Sequence, residues 1–206
     1  MSRVVVLDYG SGNLRSAERA LQRAGADVTV TDDLVAAAAA DGLVVPGVGA
    51  FAACMAGIEA LGAGPVIADR VAAGRPVLGI CVGMQVLFAQ GEEHGVVTRG
   101  LGLLPGGVTR LAAPRLPHMG WNTLRPPAGS TLLAGLPEAG RVYFVHSYAV
   151  ADVAALTAAG ALVTTAHHGG DFVAAVERGA LSAAQFHPEK SADTGALLLR
   201  NWLATL

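Results

Sequence analysis

Two patterns of apolar positions alternate along the first half of the chain. Short β-branched runs predict buried strands at "VVVLD" (4–8), "DVTV" (27–30), "GLVVPG" (42–47) and "PVLGI" (76–80). Alanine-rich segments with helical spacing lie between them. "NLRSAERALQRAG" predicts an amphipathic helix stopped by Gly25, and "DDLVAAAAA" predicts a helix with an acidic first turn. Further helices are expected around 51–62 and 65–73, and "VGMQVLFAQ" predicts another directly after the fourth strand. Such alternation implies right-handed crossovers and a mostly parallel sheet with helices on both faces. After Gly91 the rhythm changes. "GLLPGGVTRL", "HMGWNTLR", "RVYFVHSYAV", "ALVTTAHHG", "FVAAVERGA" and "LSAAQFHPE" are strand-like pieces separated by Gly and Pro turns, which predict hairpins or an antiparallel flank on the sheet. "DTGALLLRNWLATL" predicts a closing helix. The expected fold is α/β, in a single domain spanning 1–206, with no internal repeat and no linker.

Composition narrows the class. Hydrophobic residues make up 52 % of the 206 positions and charged residues 15 %, which suits a buried sheet. The formal charge is −2 and no basic stripe stands out, so neither nucleic acid nor an anionic membrane surface is an expected partner. No window offers a membrane span, and the N-terminus lacks the pattern of a signal peptide. The two cysteines, Cys54 and Cys81, are too few for a disulfide framework, and no Cys/His spacing resembles a zinc site. A cytoplasmic protein without metal or cofactor is the expectation.

The chemistry concentrates at "GICVGMQ" (79–85). A strand turning directly into a helix forces its corner residue into an unusual backbone conformation, and its neighbours two before and two after must be small. Gly79 and Gly83 fit that need around Cys81, and the start of the following helix favours a thiolate. The Val82 N–H would then form half of an oxyanion hole. The bland alternative is a buried structural cysteine between packing glycines. A nucleophilic thiol also needs a base, and "FHPEK" (186–190) supplies one. In an extended segment His187 and Glu189 project to one side, so Glu189 can hold one ring nitrogen while the other meets Cys81. His94, His118, His167 and His168 are expected to be exposed or locally hydrogen-bonded, and Cys54 to be a small buried apolar residue. "PGVG" (46–49) follows the third strand, and its glycines permit two peptide orientations, so the Val48 or Gly49 N–H is the expected second oxyanion donor. "DYGSGN" (8–13) has Arg15 where a dinucleotide fingerprint needs its third glycine, and reads as a plain strand-to-helix loop.

The elbow and the terminal "HPE" together resemble the triad-type class I glutamine amidotransferases. "PGVGAF", "PHMGWN", "YFVHSY" and "QFHPEKS" are similar to the branch of glutaminase subunits that serve imidazole glycerol phosphate synthase in histidine biosynthesis. That likeness runs nearly end to end, with Val82 where the branch more often has leucine. It implies a Cys81 nucleophile, His187 as acid and base, and Glu189 as its orienter. It further implies that Gln85 binds the substrate glutamine, that Glu93 (or Glu92) meets its α-amino group, and that the backbone around Ser147 and Tyr148 meets its α-carboxylate. The partner implied is a (β/α)8-barrel cyclase in a heterodimer, since the chain leaves no room for a second domain to consume ammonia. Trp121, Asn122, Tyr143 and Lys190 are the expected docking residues, with core packing as the alternative for Trp121. Two other functions stay open: a glutaminase feeding a different synthase, and an inactive binding subunit.

Overall fold

The computed structural model describes residues 1–206. In the first half, strands β1 (Arg3–Leu7), β2 (Asp27–Thr31), β3 (Gly42–Gly47) and β4 (Val77–Cys81) alternate with helices α1 (Leu14–Ala24), α2 (Leu34–Ala39), α3 (Phe51–Leu61) and α4 (Ala63–Ala72). Local chemistry sets the ends. Gly25, at φ 107°, closes α1 and returns its N–H to the last turn, and the Asp33 carboxylate caps α2 through the Val35 and Ala36 N–H groups. Every residue of β3 and β4 is buried, as expected of strands covered on both faces.

After the single helical turn α5 (Val82–Gln85) the chain becomes mainly β. It runs through β5 (Phe88–Glu93), β6 (Val96–Arg99), β7 (Leu104–Arg110), β8 (His118–Thr123), β9 (Arg141–His146) and β10 (Tyr148–Ala149). A short helix α6 (Val153–Ala158) leads to β11 (Leu162–His167), β12 (Asp171–Arg178) and β13 (Leu181–Ala184), and α7 (Ala192–Leu203) ends the chain. The helix expected over "VGMQVLFAQ" therefore stops after one turn. Val86, Leu87 and Phe88 are consecutive and fully buried, which a one-sided helix cannot achieve, and Phe88 opens a strand instead. Strand β6 and helix α6 were not expected from the pattern of positions.

The main sheet has the order β11-β12-β13-β4-β3-β1-β2. Strands β2, β1, β3, β4 and β13 are parallel, and β12 and β11 add the antiparallel flank. Smaller sheets form from β10-β7-β5-β6 and from the hairpin β8-β9. Strand order reverses around β1, so the loops after β1 and β3 part there and leave a crevice at the C-terminal edge of the sheet. One buried cluster runs from Val4 to Trp202. No single helix is long and apolar enough to cross a membrane; α3 and α4 pass only as a pair bent by 89°.

Candidate active site

Register brings the site together. Gly47 on β3 lies opposite Cys81 on β4, and Ala184 on β13 lies opposite Ile80, so the next residue, Gln185, comes level with Cys81. Cys81 has φ 57° and ψ −115°, a conformation that side chains rarely adopt. A Cβ on Gly83 would collide with the Val45 carbonyl, and one on Gly79 would meet the Gly83 carbonyl at 2.7 Å. The crowding expected of a strand-to-helix corner is therefore present on both sides of the thiol. Cys81 opens onto a cavity of about 320 Å3.

His187 and Glu189 meet behind the thiol. The His187 Nδ1 lies 2.8 Å from Glu189 Oε1, with both side chains buried. Sequence spacing anticipated the pair from an extended segment, but the structure makes it with a turn. His187 is extended, and Pro188 then opens a 3-10 turn over Pro188–Lys190, where its fixed φ fits and its missing N–H costs nothing. His187 is pinned at its backbone too: its N–H donates to the Tyr143 carbonyl (3.0 Å), and its carbonyl accepts from Ser191 Oγ (2.6 Å). Burial alone would lower the His187 pKa. Hydrogen bonding to Cys81 and Glu189, with their negative charge, outweighs it and raises the value to about 9.

Val48, Gly49, Val82, Gln85, Glu93, Ser147, Tyr148 and Lys190 line the same cavity, together with Val145 and His146. Gln85 is buried, and its Nε2 donates to the Tyr148 carbonyl (3.0 Å) and to Gln185 Oε1 (2.9 Å). Glu93, rather than the exposed Glu92, faces the cavity; its carboxylate also accepts from the Phe51 N–H (3.0 Å) at the start of α3. The expectation for Val48 needs correction. Its N–H donates to Ser11 Oγ (3.0 Å), and its carbonyl accepts from the Cys54 thiol (3.4 Å), so in this conformation it offers no donor to the cavity. Because the peptide is trans, Gly49 N–H points opposite to the Val48 carbonyl and away from Cys54. Cys54 is buried as expected, yet its thiol has this polar task, and burial raises its pKa.

A profile of the family described as "Glutamine amidotransferase class-I" matches residues 5–206. The chain belongs to the class I glutamine amidotransferases. The amidotransferase is 61 % identical over 203 residues to "Imidazole glycerol phosphate synthase subunit HisH" of Mycolicibacterium paratuberculosis, covering 98 % of both chains. It is 60 % identical to the protein of that name in Thermobifida fusca, covering 99 % of both. Among solved structures, one described as a glutamine amidotransferase superimposes with a TM-score of 0.76 at 23 % identity, covering 98 % of this chain and 97 % of the other. A second, PurLQS from Thermotoga maritima, gives 0.68 at 19 % identity with 99 % of each chain covered. At those identities the two structures speak for the fold alone, which is the class I amidotransferase α/β fold.

Several residues of the amidotransferase site escaped the sequence reading. Asn13, at φ 69°, donates from Nδ2 to Glu189 Oε1 (2.6 Å), the same oxygen that meets His187. Gln185 brings its Nε2 to 3.9 Å from Cys81 Sγ. Ser11 and His146 also belong here, and His118 is buried and hydrogen-bonded to His146 and Asn122, the second of the two environments expected for it. Asn13 had one available signal, an asparagine in a glycine loop directly before a helix; nothing in sequence separation links Gln185 to Cys81. Of the expected docking residues, Trp121 is 51 % exposed and stands edge-on to Tyr143, with its neighbour Met119 also exposed. Lys190 is exposed, and Asn122 is half-buried with hydrogen bonds to His118 and to the His167 carbonyl.

Proposed function

We propose that this amidotransferase is the glutaminase subunit of an imidazole glycerol phosphate synthase, hydrolysing glutamine and passing the ammonia to a cyclase. The observation that carries the reading is one cavity edged by Cys81, His187, Gln85, Glu93, Ser147 and Tyr148, with Glu189 behind His187. In the proposed reaction the Cys81 sulfur attacks the side-chain carbonyl carbon of glutamine, and the resulting oxyanion is met by the Val82 N–H. The C–N bond then breaks as the His187 imidazolium gives its proton to the departing nitrogen, leaving a γ-glutamyl thioester and ammonia. His187, now neutral, takes a proton from water as that water attacks the thioester, and glutamate leaves with Cys81 restored. Glu189, itself held by Asn13, keeps the His187 Nδ1 protonated and so leaves Nε2 for these transfers. Gln85, Glu93 and the Ser147–Tyr148 backbone hold the amino-acid end of the substrate.

Ammonia released to water becomes mostly ammonium and loses its nucleophilicity, so a sheltered acceptor site is required. That acceptor is proposed to be a (β/α)8-barrel cyclase docked on the hairpin β8-β9, with Trp121, Asn122, Tyr143 and Lys190 in the interface. The relatives' names, each that of a synthase subunit, support the existence of a partner subunit. Ammonia release from glutamine by wild type and Cys81→Ser, each alone and with the cyclase and its nucleotide ligand, tests it. Activity that needs Cys81 and jumps with the liganded cyclase is expected. Cys81-dependent activity indifferent to the cyclase would point to a different synthase, and no activity in any mixture would leave an inactive binding subunit.

The Ser11 hold on Val48 favours a second statement about the resting subunit. With Val48 N–H turned to Ser11, the oxyanion hole has the Val82 donor and lacks the Val48 one. Completing it requires rotating the Gly47–Val48 peptide, and that rotation is proposed to accompany the partner's binding of its ligand. A rise in kcat with little change in KM when the liganded cyclase is added is the expected sign.

A further inference from the structure

The hairpin β8-β9 places His118 directly opposite His146, and both rings are buried. The His118 Nδ1 lies 3.0 Å from His146 Nε2, the His146 Nδ1 lies 2.9 Å from the Tyr148 carbonyl, and Asn122 Nδ2 lies 3.2 Å from His118 Nε2. Backbone groups fix the polarity of this row at both ends. At the outer end the Thr123 N–H can only donate, so the Asn122 atom it meets (2.8 Å) is Oδ1, and the other atom is the amide nitrogen, which donates to the His167 carbonyl (2.9 Å). At the inner end the Tyr148 carbonyl can only accept, so His146 carries its proton on Nδ1. One assignment satisfies every contact: both rings neutral, both protonated on Nδ1, both accepting at Nε2. Any other assignment sets two protons or two lone pairs against each other.

We propose that Asn122, His118 and His146 are positioning residues for the glutamine pocket, forming a one-directional hydrogen-bond relay that runs from the hairpin face to the Tyr148 carbonyl and steadies Gln85. The link to Gln85 is direct, because its Nε2 donates to the same carbonyl oxygen as His146 Nδ1. The role rests on the reading that Gln85 and Tyr148 bind glutamine. Ring orientation is locked independently: His118 stacks on Phe144 at 4.8 Å and on His168 at 4.2 Å. Burial lowers the His118 pKa to about 4 and that of His146 to about 3, in keeping with neutral rings. The consequence is directional. If the Asn122 donor is taken away, His118 is free to carry its proton on Nε2. Its Nδ1 then presents a lone pair to His146, which relaxes by moving its own proton to Nε2. A lone pair then faces the Tyr148 carbonyl, and each imidazole still holds one proton.

The test uses the full-length chain labelled with 15N in histidine and in glutamine side chains. Long-range 1H–15N spectra between pH 6 and 8 should show His118 and His146 both protonated on Nδ1 and free on Nε2. Asn122→Asp, which swaps the donor for an acceptor at a half-buried position, should move the His118 proton to Nε2. Glutamine titration on the same samples should show binding about fivefold weaker in Asn122→Asp and in His118→Phe, the latter keeping the aromatic stack. In complex with the synthase partner, added until each variant is saturated because Asn122 is also a proposed interface residue, the loss should appear chiefly in KM. An Nε2-protonated ring in the wild type overturns the relay. So does a wild type that binds glutamine while both variants bind it equally well. A wild type that binds no glutamine overturns the glutaminase reading itself, and the relay's role with it.

Discussion

Ser11 and Asn13 sit in one short loop after β1, and each touches the chemistry through another residue. Ser11 Oγ holds the Val48 N–H, a neutral hydrogen bond contributing about 1 kcal/mol. Ser11→Ala should therefore raise glutamine turnover by the isolated subunit about fivefold, read as kcat in an ammonia-release assay; unchanged turnover would mean that the Val48 peptide does not limit the oxyanion hole. Asn13 bonds a charged, buried carboxylate whose Oε2 has no partner, so Oε1 carries its whole neutralisation. Asn13→Gly is the informative variant, because glycine tolerates φ 69° and the backbone survives. It should lower kcat by about tenfold or more with KM for glutamine little changed, the size expected for a hydrogen bond to an ion. At this scale the sequence was legible where a residue type is rare in its setting. A cysteine between spaced glycines and a histidine before Pro-Glu each stood out. Gln185 and Ser11 did not, since their partners lie across the sheet and common polar residues carry no local mark of what they will face.

Glycines at the elbow are the clearest case in which an element's geometry was written in its residues. Gly83 has the Val45 carbonyl where a Cβ would be, so Gly83→Ala must push β3 and the elbow apart. A cost of about 3 kcal/mol is expected, the upper end for overpacking, or roughly 6–12 °C in Tm for a chain of this length. A melting temperature within about 2 °C of wild type would show that the two backbones are less tightly set than the geometry requires. The parallel strands were readable because each is a short β-branched run bounded by glycine or a helix cap. The helix expected over "VGMQVLFAQ" failed because apolar runs of this length do not by themselves distinguish a helix from a buried strand. The arbiter is tertiary: Phe88 and Gly91 are the buried positions of β5, with Gly91 pressed close to the Phe51 ring. Helix α6 and strand β6 were missed for a related reason, being short and poor in apolar periodicity.

The whole molecule responds to pH through histidines that pull in opposite directions. Unfolded, each titrates near 6.5. Below that value the unfolded chain takes up protons that buried His118 and His146 refuse, so stability falls as pH drops from about 6.5 toward 4, by ~1.4 kcal/mol per pH unit for each ring. His187 has the reverse sign. Its raised pKa contributes stability that is complete below 6.5 and is lost as pH rises through about 9. Thermal melts from pH 4 to 10 should therefore peak near neutrality, and His118→Phe should flatten the acid limb while His187→Phe flattens the alkaline one. Identical limbs in both variants would assign the pH dependence to other groups. Docking is a property of the same scale: Trp121→Ala should weaken cyclase binding in titration calorimetry without lowering Tm, since the ring is half exposed on the hairpin.

The corner at Cys81 has a consequence for descent. A side chain at φ 57° and ψ −115° strains its backbone by about 1–3 kcal/mol, offset in part by the hydrogen bond between the thiol and His187. Glycine would relax that corner. Cys81→Gly exchanges that strain for the lost contact with His187, so its Tm should stay close to that of the wild type while it makes no ammonia. Lineages that obtain histidine from their surroundings, and so stop needing this reaction, meet little folding penalty when the codon for Cys81 drifts to one for glycine. Position 81 should be among the first to decay in such genomes, ahead of Gly79 and Gly83, which the fold itself continues to demand.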